Sequence, residues 1–99
     1  MARETRDMII KYSPGFLRTL KKAQVMIRKN LKIRIKQFTD NPNDPQLNTH
    51  PLKEEYQGYH SIDVTADWRA IYKEIAQQEG ELVAYFVAIG THEQLYKSH

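Results

Sequence analysis

The chain has 99 residues, 40% of them hydrophobic, with no cysteine and a formal net charge of +3. That length supports one small core, so residues 1–99 read as a single domain. Without cysteine there are no disulfides, no thiolate metal ligands and no cysteine nucleophile. No apolar run approaches the ~18 residues of a membrane span, and the opening MARETRDM lacks the apolar core of a signal peptide. The expectation is a cytoplasmic protein with no membrane partner.

The charge is unevenly placed. Residues 1–39 carry eleven Lys/Arg against two acids, and residues 40–99 carry four against ten. Between Met8 and Thr39 there are nine basic residues and no acid. Such segregation fits a polyanion or an acidic protein partner, and it also fits a solvated helix face.

In chain order, Asp7 to Tyr12 (DMIIKY) reads as a short strand. Ser13-Pro14 supplies a helix start, with a capping hydroxyl and a proline whose missing N–H costs nothing at the first position. Phe16, Leu17 and Leu20 form one apolar stripe, and Ile27, Leu31, Ile35 and Phe38 form a second. The spacing predicts two helices that break between Ala23 and Val25, the second ending before Asn41-Pro42. From Asp40 to Tyr59 there is no clear periodicity, and a connection that long is often functional when ordered. Ser61–Thr65, Trp68–Ala76 and Glu81–Ile89 read as three strands. QQEG at 77–80 is the turn between the last two, with Gly80 at the position needing positive φ. The order β-α-α-β-β-β is an α+β fold, a small antiparallel sheet with two N-terminal helices on one face.

His50, His60, Asp63, Asp67, Arg69, His92 and Tyr96 are the polar residues that stand out. Taken singly, each has an ordinary structural explanation at a turn, a strand end or a core edge. The histidines have no metal-ligand spacing on a helix or hairpin, so neither a metal nor another cofactor is expected. As a set they differ, because adjacent strands of a meander bring their polar positions to one face. Histidine, carboxylate and arginine are the parts needed to cleave an RNA phosphodiester without metal. One group takes the 2′-hydroxyl proton, a second protonates the leaving oxygen, and a cation steadies the phosphate.

The strings HPLKEEYQGYH (50–60), DWRAIYKE (67–74) and GTHEQLY (90–96) give the chain a specific likeness. In this order and spacing it resembles the RelE/ParE superfamily of type II toxin–antitoxin toxins, and looks closest to the YafQ-like branch. The resemblance covers nearly the whole chain, including the SPGF helix start and the NPNDP loop. It implies the two-helix, antiparallel-sheet fold and neutralisation by a cognate antitoxin. It also implies, for members active as mRNA interferases, cleavage of mRNA in the ribosomal A site.

His50, Asp67, Trp68 and His92 match functional positions of that branch, and Tyr96 stands where it has phenylalanine. Asp63 replaces a catalytic histidine and Ala88 replaces an arginine. Arg69 aligns with the strand arginine preceding the apolar-Tyr pair in RelE and YoeB, which implies that Arg69 takes the phosphate role. The resulting expectation is a ribosome-dependent mRNA endoribonuclease whose partners are the 70S ribosome, mRNA and an antitoxin with an acidic or amphipathic segment. His50 or His92 would be the acid and Asp67 or His50 the base. Trp68, His60 and Asp63 would position RNA, with Tyr96 also able to stack a nucleotide. A ParE-like gyrase poison and a degenerate antitoxin-binding protein share the fold and stay open at this level.

Overall fold

The computed structural model describes residues 8–96. Strand β1 (Met8–Tyr12) leads into helices α1 (Pro14–Lys22) and α2 (Val25–Asp40), and the break between them falls at Ala23-Gln24. Asp7, the first residue of the expected strand, lies outside the described residues. Ser13 caps α1 as the sequence suggests, its hydroxyl accepting from the Phe16 N–H at 3.0 Å. α2 ends with Asn41 as its cap, one residue before Pro42.

The connection that follows is ordered rather than structureless. It contains two short 3₁₀ turns, Pro45–Leu47 and Glu54–Tyr56, and a two-residue edge strand β2 (His50–Pro51). Leu47 is fully buried, which pins the first turn to the core. Pro51 fits an edge strand because its missing N–H interrupts no ladder beyond it. Strands β3 (His60–Asp63), β4 (Trp68–Ala76) and β5 (Leu82–Thr91) follow, then a single helical turn α3 (His92–Leu95). β3 stops short of the expected Thr65 because the Thr65 hydroxyl accepts from the Asp67 and Trp68 N–H groups, closing the turn into β4. The 77–81 turn holds Gly80 at φ 91°, where a side chain would be strained.

The sheet order is β1-β5-β4-β3-β2. β3, β4 and β5 pair antiparallel as expected and the additional edge strand β2 pairs antiparallel with β3, but β1 lies parallel to β5, from Met8 against Leu82 to Tyr12 against Phe86. The sheet is therefore mixed. No hairpin joins these two strands, so nothing local in the sequence fixes their relative direction.

Phe86 lies at the centre of the core. Its ring meets Tyr12, Phe16, Phe38 and Tyr72 at centroid distances of 6.0, 5.9, 5.7 and 5.1 Å. Ile27, Leu31 and Phe38 of the expected α2 stripe are buried, and Ile35 packs at the edge. Leu17 does not join its stripe and is 48% exposed, which leaves Phe16, with Leu20 packed at the core edge, to anchor α1. A bulge sets Val87 and Ala88 of β5 against Ile71. It moves the inward-facing positions from Ala84 and Phe86 to Ile89, so all three reach the helix side.

Burial, and then the Glu74 carboxylate, pushes the Tyr72 phenol from 10.0 up to about 12. The unfolded chain ionises near pH 10 while the folded phenol stays neutral. This stability is complete below pH 10 and is lost as pH rises through about 12; it is on the order of 2–3 kcal/mol. Tyr12, also pushed up by burial, acts in the same direction. Urea unfolding should show the wild-type midpoint falling between pH 10 and 12. Tyr72→Phe should lose most of that slope, and an unchanged slope would contradict the assignment.

Candidate active-site cleft

Strand alternation places the polar residues. On β4, Ala70 and Tyr72 face the helices, so Arg69 and Ile71 face the other way. Asp63 of β3 and Gly90 of β5 lie opposite Arg69 in the ladders. On this second face His50, Ser61, Arg69, His92 and Tyr96 line an open cleft of about 470 Å³, with the segment Pro51–Lys53 along one side.

α3 brings His92 and Tyr96 to the cleft. Thr91 caps it in a reciprocal box with Gln94, at 3.1 Å to the Gln94 N–H and 2.9 Å from the Thr91 N–H to Gln94 Oε1. The His92 N–H donates to the Asp67 carbonyl at 2.9 Å, tying the helical turn to the β3–β4 turn. His92 and Tyr96 rings meet edge to face at 4.7 Å. Gly90 permits this approach: a Cβ there would lie 3.0 Å from Gln94 Oε1 and 3.5 Å from Leu95 carbons.

Arg69 is held from several sides. Its Nη1 donates to the carbonyls of Thr65, Ala66 and Trp68 at 3.0–3.2 Å. Its Nε lies 3.0 Å from Asp63 Oδ1, but that oxygen is buried without a hydrogen-bond donor, so the attraction is electrostatic rather than an aligned bond. Asp63 Oδ2 accepts from Asn48 Nδ2 at 3.2 Å. Asp63 thus stands behind Arg69 and does not line the cleft.

Three other residues singled out from the sequence lie off the cleft wall. The Asp67 side chain is exposed while its carbonyl holds α3. Trp68 packs against the core. His60 stacks on Tyr72 at 5.7 Å on the helix side, with its Nδ1 buried and unpartnered. The sequence reading missed Lys53, although it sits in the HPLK string that carries His50. Burial first, then Glu55, Tyr96 and Tyr59, pushes the Tyr56 phenol above its ordinary value.

Residues 10–96 match the family model of the ParE toxin of type II toxin–antitoxin systems, parDE. In three dimensions the chain is similar to YafQ from E. coli strain BL21(DE3). The identity is 29%, over 93% of this chain and 99% of that one, with a TM-score of 0.72. A chain of the E. coli DinJ–YafQ toxin–antitoxin complex is 28% identical over 91% of this chain and 98% of that one, with a TM-score of 0.67. A YoeB/ParE toxin from Agrobacterium tumefaciens shares the fold at 16% identity, 86% and 99% coverage and a TM-score of 0.70. No curated protein sequence matches the chain at a significant level.

The side chains of Arg69 and Asp63 are 18% and 20% exposed, between the surface and buried regimes of ion pairs. Asp63→Ala should cost about 1–2 kcal/mol in urea unfolding. An unchanged midpoint would mean that the three carbonyls alone hold the guanidinium.

Proposed function

Because this chain belongs to the ParE toxin family of type II toxin–antitoxin systems, within the RelE/ParE superfamily and close to YafQ, we propose that its toxic activity is ribosome-dependent cleavage of mRNA. The observation that carries this reading is the cleft holding His50, Arg69, His92 and Tyr96 together. Two imidazoles, a phenol and a guanidinium on one wall suit an acid–base attack at phosphorus better than a flat docking surface would.

In the proposed step one group takes the proton from the ribose 2′-hydroxyl, and the oxygen attacks the adjacent phosphorus. The P–O5′ bond breaks and a second group protonates the departing 5′-oxygen, leaving a 2′,3′-cyclic phosphate and a 5′-hydroxyl. His50 is the base in this reading, since the alternative, Asp67, has its side chain outside the cleft. His92 is the acid, fixed by the α3 cap and by its edge contact with Tyr96. Arg69 contributes positive charge on the cleft wall, and Tyr96 offers a ring for a base to stack on.

The antitoxin belongs to the same proposal. DinJ accompanies YafQ in the similar complex, and here the helix face combines basic and apolar groups. Leu17, Val25, Met26 and Ile33 are exposed, beside grooves lined by Leu20, Arg28, Lys29 and Lys32. An antitoxin segment carrying carboxylates and apolar side chains fits that surface.

Mapping mRNA 5′ ends after incubation with programmed ribosomes tests the enzyme. Wild type should cut within the A-site codon. His50→Ala and His92→Ala should each lower the single-turnover rate by ~10²–10⁴-fold with unchanged folding. Absence of cleavage by folded wild type would overturn the nuclease reading. Affinity for the antitoxin, by titration calorimetry, should fall steeply from low to high salt, and a salt-independent affinity would remove the electrostatic part of the account.

A further inference from the structure

We infer that Lys53 is the cation that meets the scissile phosphate in this cleft. The inference rests on the nuclease reading above and assigns one further residue to that site.

Three observations lead to it. First, Arg69 is already engaged. Nη1 serves three carbonyls and Nε faces a carboxylate, which leaves Nη2 as the guanidinium nitrogen without a protein acceptor among the described residues. A phosphate can take a two-point fork from arginine only along an edge that is free. Both edges here include an occupied nitrogen. The Asp63 charge at 3.0 Å further offsets the field that Arg69 projects into the cleft.

Second, β5 supplies no replacement, since the residue opposite Ile71 is Ala88. Third, Lys53 lines the same cleft as His50 and His92, and no acid among the described residues lies within ion-pair distance of it. Its backbone is fixed on both sides. The preceding Leu52 N–H bonds to the Tyr59 carbonyl at 2.9 Å, and the Lys53 carbonyl accepts from Tyr56 at 3.1 Å. The side chain itself is exposed, so its ammonium can follow a phosphate entering the cleft. Asp63 becomes a positioning residue for Arg69, and Lys53 supplies the uncompensated charge. A compact ammonium on a flexible stem meets one oxygen as a point charge, which suits a phosphate presented by the ribosome rather than by the protein.

The test has two arms. In the first, programmed ribosomes are cleaved under single-turnover conditions by wild type, Lys53→Ala, Lys53→Arg and Lys53→Gln. Lys73→Ala serves as a control that removes the same charge from the exposed second half of β4, outside the cleft. Lys53→Ala and Lys53→Gln should be slower by about 10- to 100-fold. That is less than the ~10²–10³ for a fixed donor, because the group is mobile. Lys53→Arg should recover most of the rate and Lys73→Ala should stay within about twofold. In the second arm, inorganic phosphate is titrated into the free protein and followed by the ring-proton NMR signals of His50 and His92. Saturable shifts should appear in wild type and vanish in Lys53→Ala.

If wild type cleaves and binds phosphate but Lys53→Ala does both equally well, the assignment of Lys53 is overturned and the nuclease reading stands. If wild type does not cleave at all, the nuclease reading is overturned. The phosphate titration then decides alone: loss of the shifts in Lys53→Ala supports the anion contact, and their persistence overturns it.

Discussion

The fold depends on the packing of one side chain. Phe86 is completely buried and holds β1, β4, α1 and α2 together through Tyr12, Tyr72, Phe16 and Phe38. In a chain this short a single core must carry all the apolar burial, and here the aromatic contacts converge on β5. β5 also pairs with both β1 and β4, so its position sets the register of those two ladders. Ser13 strengthens the link, since its N–H bonds to the Phe86 carbonyl at 2.9 Å while its hydroxyl caps α1.

The second face of the sheet inherits its geometry from this packing. The bulge beside Ile71 keeps Phe86 and Ile89 on the helix side, and beyond it Gly90 leaves room for α3 to lie against the sheet. His92 and Tyr96 therefore reach the cleft through a chain of constraints that begins in the core. Arg69 is placed by the neighbouring strand and steadied by the turn that Thr65 closes. The edge strand β2 then brings His50 across from Ser61. Residues far apart in the chain meet because four antiparallel strands stack their ends at one corner of the sheet.

The two faces carry different chemistry. The helix side presents basic and apolar groups to the exterior, and the opposite side holds imidazoles, a phenol and a largely compensated guanidinium. A sheet with its core on one side separates them, so the groove on the helices and the cleft are lined by different side chains. The ion pair of Arg69 with Asp63 has a cost as well as a benefit: it orders the arginine but spends much of its charge within the protein.

Much of this was legible in the linear chain. Ser13-Pro14, the α2 stripe, the stop before Asn41-Pro42 and the Gly80 turn are local signals. Capping, periodicity and positive φ act over a few residues, and sequence order fixes them directly. The ordered strings around His50, Arg69 and His92 gave the superfamily resemblance that the family match then established. What the sequence could not settle depends on contacts between distant segments. The parallel placement of β1, the bulge at Val87, and the exposure of Leu17 belong here. So do the positions of His60 and Trp68 toward the core, the turning of Asp63 behind Arg69, and the arrival of Lys53 in the cleft. Each is decided by which face of the sheet a residue occupies, and one bulge or one ion pair can change that without altering any local pattern.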